Sequence, residues 1–301
     1  AAIQHFHPGQ FYRLQNYETT ATMIDGTPLL MEGLALTGAW VDKERGLMST
    51  IALEMGSSSR LCAMLKPGDR VVLMGPTGTP TEIEPNENVI LCGGGLGNAV
   101  LFSIGKEMRR QGCRVIYFAG YRKGEDLFHQ EDVEESADQV VWSSDTGAAI
   151  VPRRAQDAYK RGNILESMVA YATGELGQQL VPMNTAQRLV VIGSDKMMNA
   201  VRQARFGVLA PYLGPHVAIG SINSPMQCMM KEVCAQCIQR HVDPVTGEEQ
   251  GFVFSCFNQD QPLDNVDFHF LESRLRANSL SEKVSNLWLN HLLKQQPMES
   301  V

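Results

Sequence analysis

The sequence predicts a β plus α/β protein: a small antiparallel barrel incomplete at its N-terminal end, a doubly wound parallel sheet, then a cysteine module and a terminal helix. Three observations predict it. Short strands broken by Pro and Gly turns fill the chain up to about Glu87. Strand and helix then alternate, the pattern of a parallel sheet covered on both faces. Four of the seven cysteines fall between residues 228 and 256.

The 301 residues suggest about two domains at roughly 150 residues each. With 44% hydrophobic and 20% charged residues the composition is that of a folded chain, not a disordered or fibrous one. Its 33 acidic and 26 basic residues give a net charge of -7, so it offers no cationic footprint for nucleic acid or anionic lipid. No apolar run reaches the roughly 20 residues of a membrane span, and Ala1-Ala2-Ile3-Gln4-His5 lacks the layout of a signal peptide. No membrane span and a cytoplasmic location are expected.

In residues 1–87 the candidate strands are Phe11 to Leu14, Ala35 to Val41, Thr50 to Met55 and Arg70 to Met74. One helix, Arg60 to Leu65, would be capped by Ser59 and stopped by Pro67-Gly68. In residues 88–220 the apolar strands are Val89 to Cys92, Arg114 to Ala119, Val140 to Trp142, Leu189 to Ile192 and Val217 to Ile219. Val100, Ile104 and Met108 mark a helix that ends near Gly112, and Asn163 to Ala172 and Lys196 to Ala204 read as further helices. Residues 221–267 are a loop-rich cysteine module, and 268–301 a helical tail. In that tail Ser279 and Glu282 read as a capping box, with Leu280, Val284, Leu287, His291 and Leu292 on one face.

Gly93-Gly94-Gly95-Leu96-Gly97-Asn98 joins a strand to a helix, where missing Cβ atoms let backbone N–H groups approach a pyrophosphate at the positive helix end. A tight turn without ligand would use the same residues. Ile192-Gly193-Ser194-Asp195-Lys196-Met197 makes a second such junction in the same sheet, although Ser194 or Asp195 could simply cap the helix.

Cys228, Cys234, Cys237 and Cys256 have five, two and eighteen residues between them. Four thiolates satisfy a 2Fe-2S cluster or a structural zinc, and this spacing lies nearer the plant-type iron-sulfur pattern than the paired short motifs of zinc ribbons. Cys62, Cys92 and Cys113 sit in helix or strand patterns as small apolar residues. The seven histidines are scattered, so no catalytic acid or base is assigned.

Phe6-His7-Pro8-Gly9-Gln10-Phe11, Leu65-Lys66-Pro67-Gly68-Asp69, Gly75-Pro76-Thr77-Gly78, the Gly93 loop and the cysteine cluster together resemble the ferredoxin-NADP reductase superfamily. Within it the chain is most similar to electron-transfer subunits of dihydroorotate dehydrogenase. The resemblance implies an FAD-binding barrel, an NAD(P)H-binding domain and a 2Fe-2S module. It assigns Gly93, Gly94, Gly95, Gly97, Asn98, Gly193, Ser194 and Met197 to the nicotinamide-nucleotide loops, and Gly120 and Arg122 to the segment after the second strand. Leu34 and Ala35 fall in its flavin motif, and Ser57, Ser58 and Ser59 in a loop that holds flavin phosphate.

The chain departs from the pattern in four places. The motif's arginine position carries Met31 or Glu32 and its serine is Ala35, which removes a charge-assisted partner for pyrophosphate. The usual Cys-Gly-Pro turn reads Ile192-Gly193-Ser194, and the first cysteine gap is five instead of four. The family's first two barrel strands are absent before Pro8, as expected of the C-terminal part of a longer flavoprotein.

Hydride carries two electrons and a 2Fe-2S cluster accepts one, so a flavin must stand between them. The expected function is electron transfer between NAD(P)H, FAD and the cluster, to or from a redox partner domain or subunit such as a dehydrogenase or a glutamate-synthase-like flavoprotein. The alternative is a non-enzymatic subunit with zinc on the thiolates and no flavin.

Overall fold

The computed structural model describes residues 2–38, 40–222, 232 and 234–294. The N-terminal unit comprises β1 (Phe11–Asn16), β2 (Met23–Ile24), β3 (Thr27–Pro28), β4 (Leu34–Thr37), β5 (Trp40–Asp42), β6 (Leu47–Ser49), α1 (Ser57–Ala63) and β7 (Val71–Thr77). Among the described residues β1 is the centre of an antiparallel sheet ordered β4-β1-β7, while β2-β3 and β5-β6 are separate hairpins. The unit is thus an antiparallel sheet with two hairpins, where the sequence suggested a barrel.

Three local expectations fail here. The run from Ala35 to Val41 is interrupted after Thr37, at Gly38, where a Cβ would lie 2.9 Å from both Phe6 and Val41, and Thr50 to Met55 is irregular, the strand having ended at Ser49. Helix α1 starts earlier than predicted, with Gly56 as its N-cap. Ser59 lies inside the first turn, and its Oγ accepts from the N–H groups of Met55 and Gly56 at 3.0 Å.

The second unit contains β8 (Asn88–Gly94), α2 (Asn98–Arg110), β9 (Arg114–Lys123), α3 (Gln130–Glu135), β10 (Gln139–Thr146), β11 (Ala158–Arg161), α4 (Ile164–Ala172), β12 (Arg188–Ile192), α5 (Asp195–Phe206) and β13 (Val217–Ser221). Beyond it follow β14 (Ile238–Val242), β15 (Glu249–Phe254), β16 (Asp260–Pro262) and α6 (Phe268–Leu293). The seven-stranded sheet runs β11-β10-β9-β8-β12-β13-β16, parallel except for β16, which is antiparallel to β13. The chain moves outward from β8 to β11 and then returns to β12. That makes the β8-β12 neighbours the topological switch point, where ligands of such sheets bind.

Apolar runs form these strands because both sheet faces are covered. Ile90, Ile116 and Val191 join one buried cluster, and Val89, Leu91, Val115 and Val190 the other, as strand alternation requires. Asn163 caps α4, its Oδ1 accepting from Leu165 and Glu166 while Glu166 accepts from the Asn163 N–H at 2.8 Å.

The C-terminal residues tie the two units together. Gln259 donates to the Gly9 carbonyl at 2.9 Å, Thr79 to that of Phe257 at 2.8 Å, and the Thr81 hydroxyl to Asp260 at 2.6 Å. Helix α6 starts at Phe268, its first N–H groups capped by Asp267, so Ser279 and Glu282 are interior residues and not a capping box. Its predicted apolar face is mostly solvent-facing: Leu280, Val284 and Leu287 are exposed, and of that stripe Leu292 is buried. Leu289 and Leu292 pack against Ile24, Leu29, Met31 and Leu61, a contact face set by the N-terminal unit and not by the helix's own periodicity.

Candidate functional site

A cleft of about 470 Å³ opens between the N-terminal sheet and the carboxyl ends of β8 and β12, within the size range of small-molecule sites. Phe11, Ala35 and Thr37 form one wall, Gly94, Gly97, Gly193 and Ser194 the opposite one, and Leu271 and Leu275 of α6 contribute a third side. Asp195 is the one charged side chain lining it among the described residues.

The two glycine turns pack on each other. A Cβ on Gly97 would lie 2.7 Å from the Ile192 carbonyl oxygen, and one on Gly94 would collide with the Met197 sulfur. Gly95 has φ +55° with open space beside it. Asn98 is fully buried: its Nδ2 donates to the Gly95 carbonyl at 2.9 Å and its Oδ1 accepts from the Tyr117 hydroxyl at 2.9 Å. Burial holds Tyr117 well above the usual phenol range, so it remains a donor. Asn98 thus shapes the turn from within, and the positive end of α2 faces the cleft wall. Ser194 Oγ caps α5 by accepting from the Met197 N–H at 3.2 Å.

Several sequence-assigned residues lie elsewhere. β9 continues to Lys123, so Gly120 is a buried strand residue and Arg122 an exposed one, and neither lines the cleft. Leu34, Ser57, Ser58 and Ser59 are also off the cleft wall. Ser58 Oγ accepts from the Glu32 N–H at 3.0 Å.

Of the four cysteines, Cys228 lies outside the described residues. Cys237 and Cys256, 3% and 4% exposed, flank the β14-β15 hairpin and are brought together by it. Cys256 N–H donates to the Cys237 sulfur at 3.3 Å, an interaction that favours the thiolate. Cys234 is exposed, and among the described residues no group of three or more His, Cys, Asp or Glu is gathered as for a metal. Cys237 and Cys256 pack against Phe11 and Ala35, the same two residues that wall the cleft. By contrast, burial pushes the thiols of Cys62, Cys92 and Cys113 upward, which disfavours the thiolate a metal needs.

No protein-family profile matches the chain. It is 31% identical over 285 residues to an uncharacterised protein of Rickettsia prowazekii, a match covering 95% of this chain and 30% of that protein. It is 29% identical over 144 residues to a homologue of the dihydroorotate dehydrogenase B (NAD+) electron-transfer subunit from Thermotoga maritima, covering 48% of this chain and 47% of the relative. The subunit from Geobacillus kaustophilus is 29% identical over 170 residues, or 56% of this chain and 62% of the relative. The matches therefore span less than two thirds of each relative. The solved structure of an NADH-dependent reduced ferredoxin-NADP oxidoreductase superposes with a TM-score of 0.71 over 96% of this chain and 89% of the other, at 22% identity, a likeness of fold.

The chain has a fold like that of this ferredoxin-NADP oxidoreductase. It is a distant homologue of the dihydroorotate dehydrogenase B electron-transfer subunits. A reductase fold raises FAD as the group to test, and the cleft, walled by Phe11, Ala35 and apolar neighbours, fits the ring of a flavin. The Gly56 to Ser59 turn fits phosphate poorly: the Ser59 hydroxyl donates to the Gly56 carbonyl at 3.0 Å, and the Glu282 carboxylate of α6 lies where a Cβ on Gly56 would be. Sequence reasoning missed Phe11 as the shared wall of cleft and thiols, and Arg13 on the same strand. A charged residue between Tyr12 and Leu14 in an otherwise apolar strand was the available signal for Arg13.

Proposed function

We propose that this chain is an electron-transfer oxidoreductase module that passes electrons between NAD(P)H, FAD and a 2Fe-2S cluster, to or from a partner domain or subunit. The reading rests on one observation: Phe11 and Ala35 line the cleft on one side and pack against Cys237 and Cys256 on the other. A cofactor in the cleft would therefore be separated from the buried thiols by a single layer of side chains.

Bound flavin supplies the conversion between two-electron hydride chemistry and one-electron transfer. The chain's own residues do the rest. Gly94, Gly97 and Gly193 keep the wall at the switch point low enough for a nucleotide backbone to approach, and the N-terminus of α2 favours its pyrophosphate. Phe11, Ile51 and Leu53 exclude water from the reacting ring. Cys237 and Cys256, with Cys234 and Cys228, are the proposed cluster ligands, and the Cys256 N–H donates to the Cys237 sulfur.

The names of the curated relatives point to a catalytic dehydrogenase subunit as partner. Among the described residues no helix is long and apolar enough to cross a membrane.

Anaerobically prepared protein should contain flavin, iron and sulfide, and its visible bands should bleach on adding NADH or NADPH. Colourless protein carrying zinc would replace this reading with that of a structural subunit.

A further inference from the structure

The flavin motif of this chain lacks its arginine, yet an unexplained guanidinium stands beside the same strand. Arg13 on β1 is directly opposite Ala35 on β4 and Met74 on β7, so all three side chains share one sheet face. That face continues from Phe11, Ala35 and Thr37, which wall the cleft. The Arg13 side chain lies flat across Gly33, where any Cβ would collide with its Nε. Its Nε is buried and has no hydrogen-bond partner, and its Nη1 reaches nothing better than the Met74 sulfur at 3.5 Å. Among the described residues no carboxylate forms an ion pair with it. Arg13 is half-buried, and a buried N–H of a charged group without an acceptor is costly.

The neighbouring turn is closed to a second anion. Ser59 Oγ accepts from the N–H groups of Met55 and Gly56 and donates its proton to the Gly56 carbonyl at 3.0 Å, so it has no donor left for a phosphate. The Glu282 carboxylate packs on Gly56, and Asn286 from the next turn of α6 donates to the Met55 carbonyl at 2.9 Å while accepting from Arg60 at 3.2 Å. A phosphate placed at this turn would meet a carboxylate of its own sign.

We infer that Arg13 is the phosphate-binding cation of the flavin site, donating to the pyrophosphate of a flavin dinucleotide from β1, and that the Gly56 to Ser59 turn does not hold it. The inference rests on the flavin reading above and moves the anionic contact from the helix turn to the sheet. Gly33 then has a reason: it is the floor on which the guanidinium lies. The planar fork of an arginine suits two phosphate oxygens at once, which a lysine would not reproduce.

The test is titration of the whole chain with FAD and, separately, with riboflavin, which carries the same ring without phosphate, following the quenching of flavin fluorescence. Arg13→Gln should weaken FAD by about tenfold or more, the loss of one charge-assisted hydrogen bond, and leave riboflavin affinity unchanged. Ser58→Ala should leave FAD affinity unchanged. If Arg13→Gln weakens both flavins equally, Arg13 merely supports the fold and the inference is overturned. The same follows if Arg13→Gln binds FAD like the parent protein, or if Ser58→Ala is the variant that loses it. Failure of the parent protein to bind either flavin would remove the flavin reading itself, and the inference with it.

Discussion

The Cys256 N–H donates to the Cys237 sulfur across 3.3 Å, at the foot of the hairpin that brings residues nineteen positions apart into contact. Antiparallel pairing from Ile238 with Phe254 up to Val242 with Glu249 forces this approach, whatever occupies the sulfurs. Cys237→Ser or Cys256→Ser should therefore lower iron affinity by more than the roughly tenfold that loss of even an outer-shell partner costs. Cys62→Ser should change nothing, since that thiol belongs to α1 and burial holds its proton. Iron and sulfide assays on anaerobic protein check both; equal iron content in all three variants would dissociate the cluster from this pair.

The two glycine turns predict different costs for similar substitutions. In Gly97→Ala the new methyl would lie 2.7 Å from the Ile192 carbonyl, a backbone atom that cannot move alone, so a stability loss of about 1–3 kcal/mol is expected. In Gly94→Ala the methyl meets the flexible end of Met197, so the loss should be smaller and the main effect should fall on NAD(P)H affinity. Urea denaturation and nucleotide titration separate the two effects. A Gly97→Ala protein as stable as its parent would contradict the packing described.

Helix α6 offers a direct comparison of faces. Leu289, 4% exposed, packs on Ile24, Leu29, Met31 and Leu61, and Leu289→Ala should cost about 2–5 kcal/mol. Leu287, 70% exposed, should cost under about 0.5 kcal/mol on the same change. Thermal and chemical denaturation would show the ranking, and the reverse order would mean that the helix docks through its other face.

Asp260 gives a pH dependence whose sign follows from its burial. Desolvation lifts its carboxyl above the ordinary 3.8, outweighing the hydrogen bonds from Thr81 and Ser221 that pull it down. From 3.8 upward the unfolded chain releases a proton that the folded chain retains, so this residue's contribution to stability falls as pH rises until the folded value is passed. Asp260→Asn keeps an acceptor for Thr81 and lacks the titration. Its stability relative to the parent protein should therefore increase between pH 3 and pH 7, and a flat difference across that range would refute the assignment.

Much of the nucleotide unit was legible because local chemistry and fold agree there. Val89 to Cys92, Leu189 to Ile192 and the glycines after them are apolar runs and turns whose signals lie within a few residues. Asn163 and Ser194 cap the helices they precede for the same reason. The N-terminal unit was harder, since its strand stops before Gly38, a position packed closely against Phe6, a contact no local pattern announces.

From residue order alone came the sheet with its switch-point turns, the distinction between the late thiols and the three in α1, β8 and the turn before β9, and the loss of an arginine near Glu32. Only the assembled chain decided which face of α6 is buried, that Phe11 and Ala35 stand between cleft and thiols, and that Arg13 lies over Gly33 while Glu282 closes Gly56. The division has a physical cause. Helix and strand periodicities are properties of neighbouring residues, whereas a guanidinium's partner or a helix's contact face depends on residues far along the chain, brought close by packing.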